Sequence, residues 1–291
     1  MLTPREHSQP ITFLVFLIIA YLQLCGPLSA TPSIALSEKS GPPTTRLRVS
    51  GQGFHHETIV DIYFDKTYRS RRVTDRDGDF ARVLVSVPRS ALPGAHTISA
   101  VEVDNGSAAI QNFFVQTDWP QPQFNSRHTG ENPYENVLSP KTVGDLTPKW
   151  NLPSARSFGA PVVADGIVHV GTDPNSTDWG PFYRLDAETG TPLGFFIAGD
   201  SYYAPAAAHG LLYISTRAAV YSLDAHTGDP VWSFVVAGDV NSADLSDITI
   251  AEDTIYFGIT DPGGCTVNAL DARTGVKVWS YFVNPYHWQA P

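Results

Sequence analysis

The sequence predicts an all-β protein in which a small two-sheet β-sandwich precedes a partial β-propeller of about three blades. Three observations predict it. From residue 32 onward, short runs of alternating apolar and polar residues are broken by Gly, Pro, Asn and Asp. Two separate motifs recur in step through the second half. With 23 Gly, 23 Pro and only 16% charged residues, the chain is rich in turns, and at 291 residues it is too long for a single small core.

Residues 1–30 read as a secretory signal. A polar start carrying Arg5 leads into an apolar run from Ile11 to Leu24 and the small-residue end Leu28-Ser29-Ala30. As a helix that run reaches about 21 Å, short of a hydrocarbon core of about 30 Å, so cleavage after Ala30 fits better than an uncleaved membrane anchor. Cys25 raises a lipoprotein reading, but Leu24 stands where a small residue is expected. The expected location is secreted, periplasmic or at the cell surface, with membrane contact only through an uncleaved N-terminal segment. Cleavage leaves Cys265 as the only cysteine, so no internal disulfide is expected.

Residues 32–117 contain the runs TRLRVSGQGF, ETIVDIYF, FARVLVSVP, HTISAVEV and IQNFFVQT. Each reads as a strand with one buried face. Asp77-Gly78 and Asn105-Gly106 supply hairpin turns, and six or seven strands in this length imply a sandwich. Asp75, Asp77 and Asp79 alternate as in a calcium loop, yet Gly78 precedes Asp79 and Leu84 stands where a bidentate Glu is needed, so a hairpin turn is the better reading. His55 and His56 are adjacent and project apart, which favours surface residues over metal ligands. Arg69, Arg71, Arg72, Arg76 and Arg82 lie on strand-like sequence and read as a solvated face. The formal charge of -10 repels nucleic acid.

Residues 118–148 form a Pro- and Asn-rich linker in which Trp119, Phe124, Tyr134 and Leu138 are expected to anchor to the next domain. In residues 149–291, LDAETG, LDAHTG and LDARTG begin at 185, 223 and 270. A second motif places Gly166, Gly210 and Asp253 at matching positions, 44 and 43 residues apart. A period in the low forties is that of a four-stranded propeller blade. In each LDA-x-TG turn the Asp and Thr can bind backbone groups and the Gly can adopt a left-handed conformation. A tryptophan follows four residues after Gly228 and Gly275, at Trp232 and Trp279, but Gly194 holds that place in the first repeat. The segment SYFVNPYHWQAP is expected to open a fourth blade, so the arc stops before closure and its edge invites self-association.

The order SGQGF, TDRDGDF, VPRSALPGAHTISA resembles Ig-like and IPT/TIG-type modules, which implies a spacer or adhesive role. W-P-x-x-x-F-N-x-x-H-T-G from Trp119, N-P-Y-E-N-V-L-S-P and L-T-P-K-W resemble the start of PQQ-like (pyrroloquinoline-quinone) propeller repeat proteins. The resemblance implies an Ig-like β-sandwich followed by a quinoprotein-like β-propeller, incomplete at its C-terminus. It also implies, in the enzymes of that family, bound PQQ and calcium, commonly with an adjacent-cysteine disulfide, a stacking Trp and acidic catalytic residues. The chain has no Cys-Cys pair, and no catalytic residue is assigned. Asp200 and Asp239, in repeated AGD turns, are the candidate metal ligands, with a structural turn role as the simpler reading. HExxH, GxSxG and Walker motifs are missing. His128, His169, His209 and His226 show no partner in sequence. The expected function is a binding or scaffold protein for a protein or polysaccharide ligand; the alternative is a fragment of a PQQ-dependent dehydrogenase of alcohols or sugars.

Overall fold

A computed structural model describes residues 31–153, 157–172, 180–197, 203–217, 219–236, 244–261 and 263–283. The signal-like segment with Cys25 lies outside the described residues, as do Asp200 and Asp239. No helix of the described residues is long and apolar enough to cross a membrane. They fall into two compact units, one of residues 31–88 and 94–115, the other of residues 89–93 and 116–283.

The first unit contains β1 (Ser33–Leu36), β2 (Ser40–Gly41), β3 (Arg46–Gln52), β4 (Ile59–Phe64), β5 (Thr67–Val73), β6 (Phe80–Ser86), β7 (Gly94–Glu102) and β8 (Ala108–Val115). They build a three-stranded sheet ordered β1-β3-β6 and a five-stranded sheet ordered β2-β8-β7-β4-β5. Alternation decides which side is dry: Leu47, Val49, Val83 and Val85 are buried on one sheet, and Val60, Ile62, Ile98, Ala100 and Phe113 on the other. The acidic loop is a turn. Asp75 Oδ1 accepts the amides of Asp77 at 3.0 Å and Asp79 at 2.9 Å, and Gly78 has φ +81°, where a Cβ would strike the Phe54 carbonyl oxygen at 2.0 Å. His55 and His56 are exposed, but His55 has a partner that sequence spacing concealed. Its backbone N–H donates to Glu102 Oε1 at 2.6 Å and its Nδ1 lies 2.8 Å from Oε2. Burial raises the Glu102 pKa, and these contacts with His55, joined by Asn105, outweigh it and hold the group below its usual range.

In the second unit a 3-10 turn at Val143–Asp145 precedes three antiparallel sheets of one pattern. The first is β9 (Val162–Ala164), β10 (Ile167–Val170), β11 (Phe182–Asp186) and β12 (Pro192–Phe196). The second is β13 (Ala206–Ala208), β14 (Leu211–Ser215), β15 (Ala219–Asp224) and β16 (Pro230–Val235). In the third, β17 (Asp244–Leu245) and β18 (Thr249–Ala251) both pair with β19 (Thr254–Asp261), followed by β20 (Gly264–Asp271) and β21 (Lys277–Val283). The expectation that SYFV opens a fourth blade is corrected: Ser280–Val283 pair with Asn268–Cys265, which makes them the end of the third sheet's outer strand. The remainder of that segment lies outside the described residues.

The repeat period reappears as geometry. Each outer pair carries the same bulge, at Arg184/Leu185, Ser222/Leu223 and Ala269/Leu270. Each LDA-x-TG turn closes alike, with Asp186, Asp224 and Asp271 accepting the Thr amide three residues on at 2.8, 2.7 and 2.8 Å. Their glycines, Gly190, Gly228 and Gly275, have φ +72°, +82° and +70°. The Ala of each turn then donates 2.9 Å backbone bonds to Gly166, Gly210 and Asp253, the positions that keep the period.

The lead-in segment fastens the three sheets. β9, β13 and β18 are neighbours, and each has an edge that its own sheet leaves unpaired. Trp119 exchanges two backbone bonds with Val163, at 2.8 and 3.0 Å; the Pro120 carbonyl accepts Ala207 N–H at 2.7 Å. The Gln121 side-chain amide imitates a peptide group against Ile250, accepting its N–H at 2.9 Å and donating Nε2–H to its carbonyl at 3.3 Å. Three consecutive residues thus serve three strands at equivalent repeat positions. Of the expected linker anchors, Trp119 packs edge-on against Phe124 at 5.3 Å, whereas Leu138 is exposed.

Gln121→Ala is expected to lower the stability of the second unit by about 1–3 kcal/mol, because both polar groups of Ile250 lose their buried partner. All six tryptophans occur at or after Trp119, so denaturation followed by tryptophan fluorescence reports this unit. Gln121→Glu accepts from Ile250 N–H but cannot donate to its carbonyl, and is expected to fall short of the parent.

Candidate functional site

The residues that differ between repeats sit where one sheet meets the next. Where the second sheet meets the third, Tyr213, Trp232 and Phe234 pack with Ile250, Ile255, Phe257 and Leu270. The Trp232 indole N–H donates to the Ala272 carbonyl at 3.1 Å, and its ring covers Gly275, where a Cβ would lie 2.6 Å away. The turn must end in glycine for the indole to fit.

Where the first sheet meets the second, position 194 is glycine and the indole is missing. Arg184 replaces it. This residue lies opposite Gly194 on β11, where the other repeats have the small Ser222 and Ala269 opposite their tryptophans. Its guanidinium donates to the carbonyls of Thr227, at 2.6 Å, and His226, while a Cβ on Gly228 would lie 2.6 Å from Nη1. A small residue paired with a large docking ring has been exchanged for a large cation paired with no side chain. The atypical first repeat therefore follows from local complementarity, and its Arg184 carries a role that its motif alone did not reveal.

Burial makes this junction electrostatically costly. Arg184 is 5% exposed, and burial lowers its pKa against the opposing pull of Asp224 and Asp229. His169, its cross-strand partner, is fully buried with neither ring nitrogen hydrogen-bonded. Burial, then the adjacent Arg184 charge, pushes His169 down to about 4. The equivalent residues in the next sheets are Tyr213 and Tyr256, and burial pushes the Tyr213 hydroxyl up to about 12.

The same docking geometry occurs once before the first sheet, and among the described residues no sheet covers the corresponding face of the third. Trp150, in the L-T-P-K-W motif, donates its indole N–H to Ala187 at 3.0 Å and covers Gly190. Trp279 instead lies against Tyr256, with ring centroids 6.0 Å apart, and is 44% exposed. Beside it Tyr281, the counterpart of the half-buried Phe234, is 67% exposed. Tyr256, Trp279 and Tyr281 therefore present a docking face with no described sheet against it.

The remaining sequence candidates do not converge. Asp200 and Asp239 fall outside the described residues. Among the described residues no three His, Cys, Asp or Glu groups gather to hold a metal. Asp118 and Asp165 approach each other at the lead-in segment, where Asp118 Oδ1 accepts Asp165 N–H at 3.2 Å; burial, then the Asp165 charge, raises Asp118 to about 6. His209, Asp253 and Arg273 form an exposed ion cluster, with Asp253 3.1 Å from His209 and 3.8 Å from Arg273. His128 contacts Thr249 at 3.2 Å, and Cys265 accepts only a 3.7 Å contact from Thr260. Among the described residues the inner edges at Val163, Ala207 and Ile250 are taken by the chain itself.

Two pH effects of opposite sign are expected in this unit. Unfolded His169 binds a proton near 6.5 while the folded residue resists until about 4, so stability falls as pH drops through this window, by about 3 kcal/mol in all. Asp118 acts in reverse: its contribution is full below 3.8 and is lost as pH rises through about 6. Denaturation of His169→Tyr between pH 4 and 7 is expected to show the acid loss removed and the Asp118 trend exposed. Arg184→Ser is expected to cost about 2–4 kcal/mol by opening the junction and stranding two carbonyls.

Residues 198–287 match the family described as outer membrane protein assembly factor BamB. No curated protein matches the sequence. Among solved structures, BamB from Moraxella catarrhalis is similar at 15% identity and a TM-score of 0.34, covering 87% of this chain and 66% of its own. A quinonprotein alcohol dehydrogenase-like protein from Bacteroides thetaiotaomicron is similar at 11% identity and a TM-score of 0.24, covering 89% and 75%. Fibronectin(III)-like modules of CbhA from Clostridium thermocellum are similar at 13% identity and a TM-score of 0.25, covering 69% and 90%. These are loose likenesses, and the chain spans just under two thirds of the Moraxella protein. The match places PQQ-like, BamB-like repeat sequence within residues 198–287.

Proposed function

We propose that this is an exported envelope protein in which an Ig-like β-sandwich acts as spacer for a partial propeller that binds protein as a scaffold. The signal-like N-terminus supports export, and the match of residues 198–287 to an outer membrane assembly factor supports a periplasmic or surface setting. One observation carries the binding role: Tyr256, Trp279 and Tyr281 are laid out like Tyr213, Trp232 and Phe234, yet Trp279 and Tyr281 stay exposed. A partner that fits it presents an Asp-x-x-Thr-Gly turn, with a glycine for the ring and a carbonyl three residues earlier for the indole N–H.

Self-association through this edge is the less favoured form of binding. The turns at Asp186–Gly190, Asp224–Gly228 and Asp271–Gly275 are already covered by Trp150, Arg184 and Trp232. A second copy must displace one of them before it can receive Trp279.

The immobilised protein is expected to retain an envelope protein, and Trp279→Ala and Tyr281→Ala are each expected to reduce retention about tenfold. Retention indifferent to both substitutions overturns the reading. So does turnover in a dye-reduction assay with alcohols or sugars after addition of the quinone and calcium.

A further inference from the structure

We infer that the junction between the first and second sheets holds a small monovalent anion of the halide class between Arg184 and His169. The inference is independent of the proposed function, which uses the third sheet. Buried charge is the first argument. A guanidinium stays protonated, and a charge taken out of water needs a counter-charge beside it. Arg184 is 5% exposed, and its guanidinium donates to two neutral carbonyls, of His226 and Thr227. Asp224 and Asp229 attract it through space without forming an ion pair. Both are committed to their own turn: Asp224 Oδ1 accepts the amides of His226 at 2.9 Å and Thr227 at 2.7 Å, and Asp229 Oδ2 accepts the Thr227 hydroxyl at 2.8 Å. Among the described residues no counter-ion is paired with this charge.

Unused donors mark where the anion sits. Arg184 Nε and both ring nitrogens of His169 are buried with no hydrogen bond. The two residues are cross-strand partners, so their side chains stand together on the face that meets the second sheet. A neutral imidazole carries its proton on either nitrogen, which makes one ring N–H available beside the Arg184 Nε–H. Two N–H donors next to a full positive charge suit an anion; a water molecule satisfies the donors but leaves the charge.

Side-chain bulk sets the size of the ligand. The second sheet fills the matching positions with Tyr213, Ser222 and Trp232, whereas the first has His169, Arg184 and Gly194. Bulk is lost at two positions and gained at one. His169 is fully buried, so the site is closed and suits an ion of about the size of chloride, which enters when the junction opens locally. Packing alone accounts for a buried ring at position 169, but it leaves the charge of Arg184 uncompensated.

The test is denaturation of the full chain at pH 7, followed by tryptophan fluorescence, in sodium chloride and in sodium gluconate of equal ionic strength, gluconate being too large for the site. Arg184→Met removes the charge and His169→Phe removes the second donor; salt effects at the protein surface are common to all three proteins and cancel. Relative to either variant, the parent is expected to show a saturable gain from chloride, about tenfold in its unfolding equilibrium constant when chloride stands at ten times its Kd. Bromide is expected to replace chloride. Should Arg184→Met fail to fold, His169→Phe decides. A response to chloride that the parent shares with either folded variant overturns the inference.

Discussion

Three consecutive residues, Trp119, Pro120 and Gln121, hold the inner edges of three sheets, and the arrangement of the second unit depends on this contact. An unpaired strand edge beside two others is a row of amides and carbonyls that water or another chain will seek. Each sheet receives a different form of the same bond. Trp119 supplies a peptide, Pro120, with no N–H, supplies only a carbonyl, and Gln121 supplies a side-chain amide. Because the strands follow one another around the segment, a single turn of chain suffices for all three.

The junctions between sheets obey a second constraint. At each junction one side chain must fill the space above the next sheet's left-handed glycine and satisfy a nearby carbonyl. Trp150 and Trp232 do so with an indole, and Arg184 with a guanidinium. The indole is neutral and brings its own apolar area. The guanidinium gains two carbonyl contacts but carries charge into a closed space, next to a histidine that must stay neutral there. The first junction is therefore the acid-sensitive one. The third outer strand keeps its tryptophan, which is 44% exposed, with no described sheet against it.

The period of the repeats and the turn chemistry were legible because each rests on local rules: alternation, a left-handed glycine, and an Asp and Thr bound to nearby amides. What lay beyond reach was contact between distant residues. Gly194 showed only that the first repeat lacks the tryptophan, because Arg184, ten residues earlier, gives no sign of reaching the turn at Thr227. His169 showed no partner in sequence, and its burial beside Arg184 depends on the fold. Glu102 and His55 are 47 residues apart, too far for spacing to join them. The end of the last outer strand was misplaced because SYFV is apolar enough to begin a strand as readily as to end one; pairing with β20 decides it. The metal candidates Asp200 and Asp239 gain no support, since they fall outside the described residues.

Native-state hydrogen exchange at the amides of Val163, Ala207 and Ile250 tests the central claim most directly. These three donate to Trp119, Pro120 and Gln121, and no other bond of their own sheets covers them. If the segment acts as one fastening, the three amides exchange through a common opening, with similar protection that collapses together when Trp119 is replaced by alanine. Exchange at three unrelated rates, or loss at Val163 alone in that variant, would show that the sheets hold their inner edges independently.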